Sequence, residues 1–302
     1  MAEGLSDRAR DGVLLVAHGT VASSDDLPAF LAEIRRGKPP PDGLVAELRR
    51  RYDVIGGSPL LALTDAQASA LARELGLPVF VAMRLWEPRV EQVVSRLGSE
   101  IARLCVLPLA PFSAHVYNAA ARAAFENVAS ADPPAPVFVD NWGLEPALVA
   151  AHVAVIQPVL ARANRGAELV LSAHSLPKII VDRGDPYARL VAAAARRIGD
   201  ELGRPVHLAY QSQGVDGGEW LGPDLPAVFR SLQGAGARAV VVAPFGFLAD
   251  HVETLYDVDI EAKHQAHQLG LEFSRVPALN THPQLIHAMA ELVRRAFLEH
   301  AS

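Results

Sequence analysis

Short apolar runs recur along the chain, separated by longer stretches rich in Ala, Leu, Arg and Glu. Runs of roughly four to eight apolar residues have strand length, and the stretches between them have helical character, an alternation that predicts βαβ units and a mostly parallel sheet in an α/β protein. Eight strands are expected, at 13–17, 79–85, 103–108, 136–140, 168–173, 206–211, 239–244 and 271–276. Helices are expected at 25–36, 42–51, 63–75, 88–97, 116–130, 144–163, 186–202, 224–234, 252–268 and 282–299. Pro88 and Pro146 suit the first turn of a helix, where the missing N–H costs nothing. Loops carry the Pro and Gly clusters at 38–43, 131–136 and 214–218.

The two halves of the chain echo one another. Val13-Leu14-Leu15-Val16-Ala17-His18-Gly19 and Leu169-Val170-Leu171-Ser172-Ala173-His174-Ser175 each run from an apolar strand into Ala-His-small. Apolar strands resemble one another by chance, so this alone fits both a duplication and a coincidence. A boundary at Gly143, just before a long helix, divides the chain into residues 1–143 and 144–302 on either view.

With 302 residues, half of them hydrophobic, the chain can bury a sizeable core. A formal charge of −6 and no basic block longer than Arg49-Arg50-Arg51 argue against a nucleic acid or an anionic membrane as partner. The longest apolar runs, such as 239–249, fall well short of the roughly 20 residues that span a bilayer. The start lacks a signal-peptide pattern, so a cytoplasmic location is expected, with at most peripheral membrane contact. Cys105 is the only cysteine and sits in an apolar run. One thiol supports neither an internal disulfide nor an iron–sulfur cluster.

Standard nucleotide and hydrolase signatures are missing: there is no Gly-x-x-x-x-Gly-Lys-Ser/Thr, Gly-x-Gly-x-x-Gly, Gly-x-Ser-x-Gly or His-Glu-x-x-His. What remains is imidazole plus carboxylate. His174 falls at the C-terminal end of a predicted strand, where open α/β sheets bind ligands. Glu253, Asp257 and Glu261 recur every fourth residue. On a helix that spacing places them on one face about 6 Å apart, where they repel unless something positive intervenes. Imidazole and carboxylates together suit proton transfer near pH 7 and a borderline divalent ion. Each feature also has a plainer reading. A strand-end histidine often serves a loop carbonyl, and an acidic stripe is often a solvated helix face. The apolar approach from Phe245 to Ala249 favours a cleft for the first acids of the row. Asp250 and His251 read equally as caps and as supports. Arg35 and Arg36, ahead of Gly37, offer guanidinium groups suited to a carboxylate. His264 and His267 have the i, i+3 spacing of a surface metal clip.

Ordered motifs along nearly the whole chain resemble the ferrochelatases, enzymes that insert Fe²⁺ into a porphyrin. They run from Leu14 to Thr20 through Ile34-Arg35-Arg36-Gly37, the segment from Tyr52 to Leu60, Ser113 to Asn118 and Ser172 to Pro177. Gly184-Asp185-Pro186-Tyr187, Tyr210-Gln211-Ser212-Gln213, Trp220 to Asp224, Gly246 to Glu261 and Pro277 to Asn280 complete the series.

The resemblance implies a chelatase-like fold of two Rossmann-like halves, each a parallel sheet flanked by helices, facing each other across a porphyrin cleft. The last helix would pack back on the first half. It implies that His174 is the proton acceptor or iron ligand, that Glu253 is its partner on the opposite wall, and that Asp257 and Glu261 continue a row passing metal or protons. Arg35, Arg36, Ser58 and Tyr117 fall at porphyrin-contacting positions, and His18 stands where some members carry tyrosine, as an axial iron ligand or without a role; Leu85, Trp86, Phe112 and Phe247 read equally as apolar walls against the macrocycle and as core. With ordinary reference pKa values, about 6.5 for His and 4.3 for Glu, both central groups are competent near pH 7. Fe²⁺ enters as substrate, no cofactor is required, and a monomer is expected. The segment around His174 is similar to the coproporphyrin type, though protoporphyrin IX stays open. Two other readings compete: a cobalt or iron chelatase acting on a more reduced tetrapyrrole such as sirohydrochlorin, and a porphyrin carrier without catalysis.

Overall fold

The computed structural model describes residues 10–97, 100–128, 133–214 and 217–300. The end of the helix expected at 116–130 and parts of the loops at 131–136 and 214–218 lie outside the described residues.

Eight strands are described: β1 (Arg10–Ala17), β2 (Val79–Met83), β3 (Ile101–Pro108), β4 (Ala135–Phe138), β5 (Glu168–His174), β6 (His207–Gln211), β7 (Ala239–Ala243) and β8 (Glu272–Arg275). The helices of the first half are α1 (Leu27–Ile34), α2 (Leu44–Ile55), α3 (Leu60–Leu75), α4 (Val90–Val94) and α5 (Ala114–Glu126). Then follow α6 (Pro146–Arg162), α7 (Lys178–Asp182), α8 (Tyr187–Leu202), α9 (Leu225–Gly234), α10 (Val252–Leu255), α11 (Lys263–Gln268) and α12 (Pro283–Glu299). Two differences from the expected elements matter for the site. The short helix α7 was hidden in a stretch without long periodicity. The helix expected at 252–268 is interrupted, because residues Asp257–Ala262 form a π-helical segment between α10 and α11. There Glu261 N–H reaches back five residues to the carbonyl of Tyr256, at 3.1 Å. Such wider turns concentrate at functional sites.

The strands form two parallel four-stranded sheets, ordered β2-β1-β3-β4 and β6-β5-β7-β8. In both, the first strand lies inside, with the second strand on one side and the third on the other. Val13 pairs with Val79 and Cys105, and Val170 pairs with His207 and Val242. The repeated order gives the weak sequence echo a structural counterpart. It also sets the C-terminal ends of β1 and β5 beside topological switch points, where α/β sheets open a crevice.

Helices cover both faces of each sheet, which is why the strands read as unbroken apolar runs rather than alternating ones. On one face of the first sheet, Leu14, Val16, Leu104 and Val106 pack with Val90, Tyr117 and Ala121. On the other, Val13, Leu15, Cys105 and Leu107 pack with Leu71 of α3, Leu148 of α6, and Leu285, Met289 and Val293 of α12. α6 is apolar nearly all round and serves two cores: Leu148 and Ala151 join that cluster, whereas Val149 and Ile156 pack with Leu169, Leu171 and Val241 of the second sheet.

Candidate active site

One close approach brings the segment after β7 to His174. Gly246 N–H donates to the carbonyl of Ser172 at 3.1 Å, and a Cβ on Gly246 would lie only 2.6 Å from the Cβ of Ala173. Only glycine fits there. The chain then runs past His174 as Phe247, whose ring stands edge-on to the imidazole at a centroid distance of 6.5 Å. Asp250 anchors the next turn. It is buried, pairs with Arg275, accepts from Thr254 Oγ1 at 2.9 Å and from Asn280 Nδ2 at 2.8 Å, and its own N–H donates to Asn280 Oδ1 at 2.9 Å. Burial pushes its carboxyl up, but Arg275 and these hydrogen bonds hold it below the usual range. Asp250 is therefore scaffold.

From that turn, Glu253 on α10 presents Oε2 to His174 Nδ1 at 2.8 Å. Both side chains are about a third exposed, 36% for His174 and 29% for Glu253, so the pair is open to the cleft. A carboxylate can only accept, which places a proton on Nδ1 and leaves Nε2 as the free nitrogen of neutral His174. Burial works against both charges, yet the pair overcomes it: Glu253 is held down to about 2 by His174, and His174 is raised by Glu253 and more weakly by Asp257. The ordinary reference values assumed for the two groups therefore do not hold. Below, the hydroxyl of Tyr187 donates to the carbonyl of His174 at 2.8 Å, and Tyr187 N–H donates to Asp185 Oδ1 at 2.9 Å. Asp185 in turn meets His115 of the first half at 3.1 Å.

The acidic row does run toward the surface, and a cation fills its gaps. Arg51 of α2 crosses from the first half, with N–O distances of 2.8 Å to Asp257 and 3.4 Å to Glu261, and also bonds Glu47 at 2.8 Å. Asp257 accepts from the Ser212 hydroxyl. Its carboxyl is raised to about 7, by burial first and then by the neighbouring Glu253 and Glu261, with Ser212 and Arg51 opposing. Asp257 and Glu261 thus share Arg51, while Glu253 is held by His174. Among the described residues no three His, Cys, Asp or Glu converge on a common point as a resident metal site would require. The arrangement is a file of anions.

His18 follows β1 as His174 ends β5, and is exposed on the cleft. Its Nδ1 lies 3.2 Å from the Tyr117 hydroxyl. The protein around the ring pushes its pKa down to about 4; Glu253 opposes this, while Arg84, His174 and His251 reinforce it. Burial drives the Tyr117 phenol up to about 12. The guanidinium of Arg84 lies over the Tyr117 ring, 5.3 Å from its centroid. Trp86 is half-buried and edge-on to Phe30 at 5.6 Å, and it joins Leu85, Tyr52 and Val252 in an apolar lobe under α1 and α2. Arg35 and Arg36 turn out of α1, with Arg35 Nε donating to the Pro39 carbonyl at 3.2 Å, and Arg36 lies exposed in a left-handed conformation at φ 56°. Ser58, half-buried, sits in the turn between α2 and α3.

Two further sequence expectations need revision. Phe112 is not a cleft wall: it is 2% exposed and packs edge-on against Tyr187 and Phe245. His264 pairs with Gln268 at 2.8 Å instead of forming a clip with His267. His251 is the N-cap residue of α10, one of the roles read for it; its ring is half-buried against Phe247, 4.8 Å between centroids, and its Nδ1 has no partner. Sequence reading passed over Arg51, which looked like part of a solvated basic block. The signal was there in Glu47, four residues earlier, which holds the arginine side chain in place.

Two parallel sheets meeting at a histidine–carboxylate cleft define an enzyme of the metal-chelatase class. The profile of the family described as Ferrochelatase matches residues 10–297, and the chain belongs to that family. A coproporphyrin III ferrochelatase from Anoxybacillus flavithermus is 36% identical over 301 residues, covering 93% of this chain and 95% of its own. A ferrochelatase from Acidobacterium capsulatum is 34% identical over 307 residues, covering 94% of each. The solved structure of SirB from Bacillus subtilis with Fe³⁺ superimposes with a TM-score of 0.58 over 95% of both chains, at 15% identity, a likeness of fold alone. No helix among the described residues is long and apolar enough to cross a membrane.

Proposed function

We propose that this protein inserts Fe²⁺ into a porphyrin, releasing two protons, in haem biosynthesis. The single observation carrying this reading is the 2.8 Å contact between His174 Nδ1 and Glu253 Oε2, open to the cleft at the head of a file of anions. Insertion must remove two pyrrole protons and bring a dication to the ring. Glu253 fixes the tautomer of His174 so that, once neutral, its Nε2 accepts a pyrrole proton. Glu253 raises the proton affinity of His174, which suits it to accept a proton, and its own carboxylate suits it to meet the arriving dication. Asp257, with a carboxyl near 7, suits onward proton transfer, and Glu261 marks the outer end of the file.

In this reading His174, Glu253, Asp257 and Glu261 handle metal and protons, while His18, Arg35, Arg36, Ser58, Trp86 and Tyr117 contact the porphyrin. Fe²⁺ is a substrate and no resident cofactor takes part. Coproporphyrin III is the first choice of ring, supported by the relative named for it, with protoporphyrin IX second. The protein acts as a cytoplasmic monomer, with the two halves divided near Gly143. The test is an anaerobic assay with Fe²⁺ and either coproporphyrin III or protoporphyrin IX, following loss of free-porphyrin fluorescence. Loss is expected, faster with coproporphyrin III. Persistent fluorescence with both rings, despite binding, would leave a carrier instead of an enzyme.

A further inference from the structure

Glu253 is aimed at His174 from α10, a helix of four residues that is too short to hold itself in place. Its main chain is gripped from the neighbouring strand. Gln211, the last residue of β6, pairs in register with His174 and is 5% exposed. Its Nε2 donates to the carbonyl of Glu253 at 2.7 Å, and its Oε1 accepts from the Ser172 hydroxyl at 2.6 Å. A carbonyl only accepts, so the amide must turn its NH₂ toward Glu253 and its oxygen toward Ser172. Ser172 is fully buried two residues before His174 on β5. The serine therefore orients the glutamine, and the glutamine holds the backbone whose side chain meets the histidine.

We propose that Gln211 is a positioning residue for the metal-handling carboxylate, fixing the main chain of Glu253 beside the strand that carries His174. The proposal rests on the reading of His174 and Glu253 given above. The amide of Gln211 bonds Ser172, Ser212 and the main chain of Glu253, so it acts through Glu253. Removing its amide should weaken the metal step and spare ring binding.

The test uses Gln211→Met, which preserves side-chain length without the hydrogen bonds, and Ser172→Ala, which only releases the amide. Fe²⁺ and coproporphyrin III dependences are measured anaerobically, and porphyrin affinity is measured separately by fluorescence titration. Gln211→Met should lower kcat/KM for Fe²⁺ by about 10- to 100-fold, the usual cost of losing a group that orients a metal-handling side chain, with KM and Kd for coproporphyrin III unchanged. Ser172→Ala should move the same parameter less, and it carries the test if Gln211→Met fails to fold. A wild-type metal dependence in both folded variants, or porphyrin and metal parameters falling together, overturns the proposal. The Nδ1–H proton resonance of His174 offers a readout independent of turnover: strong in the wild type, exchange-broadened in Gln211→Met. Its persistence in the variant refutes the role of Gln211 even if the wild type proves inactive, whereas inactivity with loss of the resonance refutes only the functional reading.

Discussion

His18 and His174 occupy equivalent places in two sheets of identical strand order, one residue past β1 and the final residue of β5. Their surroundings are opposite. Around the first histidine, burial first and then Arg84 bring the pKa down to about 4, and its ring nitrogen meets only a phenol; the second half gives its histidine a carboxylate that overcomes burial, and the pKa rises. The difference shows that a strand-end imidazole is only a position. Its chemistry is set by what the segments after the neighbouring strands deliver: in the second half the chain after β7 passes tightly under Ala173 at Gly246 and brings Glu253 to His174, whereas in the first half His18 meets Tyr117 of α5 and, through its carbonyl, the segment after β2.

The comparison breaks first at His174. Replacing it by Ala should lower kcat for metal insertion by about 10²- to 10⁴-fold, the range for a lost proton-transfer group, while fluorescence titration shows porphyrin binding largely retained. Full activity in that variant would overturn the contrast. Next, Glu253→Gln should cost about 10- to 100-fold in kcat/KM for Fe²⁺, because the tautomer of His174 is no longer imposed. His18→Gln, assayed in parallel, should lose less than about tenfold, since a histidine neutral at pH 7 beside a cation is a poor proton carrier. An equal loss from both histidines would erase the asymmetry.

Stability sharpens the contrast further. A histidine with a raised folded pKa stabilises fully below its unfolded value, about 6.5, and loses that contribution as pH rises through the folded value. Glu253, held down to about 2, stabilises above about 4.3 and loses this as pH falls toward 2. The His174–Glu253 pair should therefore help most between those limits. Urea midpoints of the wild type relative to Glu253→Gln should peak near pH 5 to 6. His18 has the reverse sign: with its pKa near 4, the wild type should lose stability relative to His18→Gln as pH falls from about 6.5 toward 4. The smallest expected effect is that of Arg51→Gln, about 1 kcal/mol in chemical denaturation for a partly shielded bridge between the halves.

Much of this was readable from the chain. All eight strands fall where the apolar runs lie, because a sheet covered on both faces leaves an unbroken apolar signature. His174 and Glu253 were each visible, one as a strand end and the other as the start of an acidic stripe. The resemblance paired them across two walls, whereas they touch within the second half, since the approach depends on Gly246 and on the anchoring of Asp250 by Arg275 and Asn280, neither of which a periodicity reveals. The even spacing of Glu253, Asp257 and Glu261 suggested one α-helical face, but a shift in hydrogen-bond register after Tyr256 is not written in residue spacing. Arg51 escaped because a basic triplet on an amphipathic helix looks solvated until its partners, more than two hundred residues away, are known.

The placement of α12 has a consequence for biosynthesis. Leu285, Met289 and Val293 complete the core beneath β1 and β3, so one face of the first sheet stays only partly covered, by α3 and α6, until Pro283–Glu299 has been synthesised. The amino-terminal portion is then a nascent intermediate with exposed apolar surface, dependent on holding factors or on fast synthesis, and a chain cut short before Pro283 leaves that surface open for good.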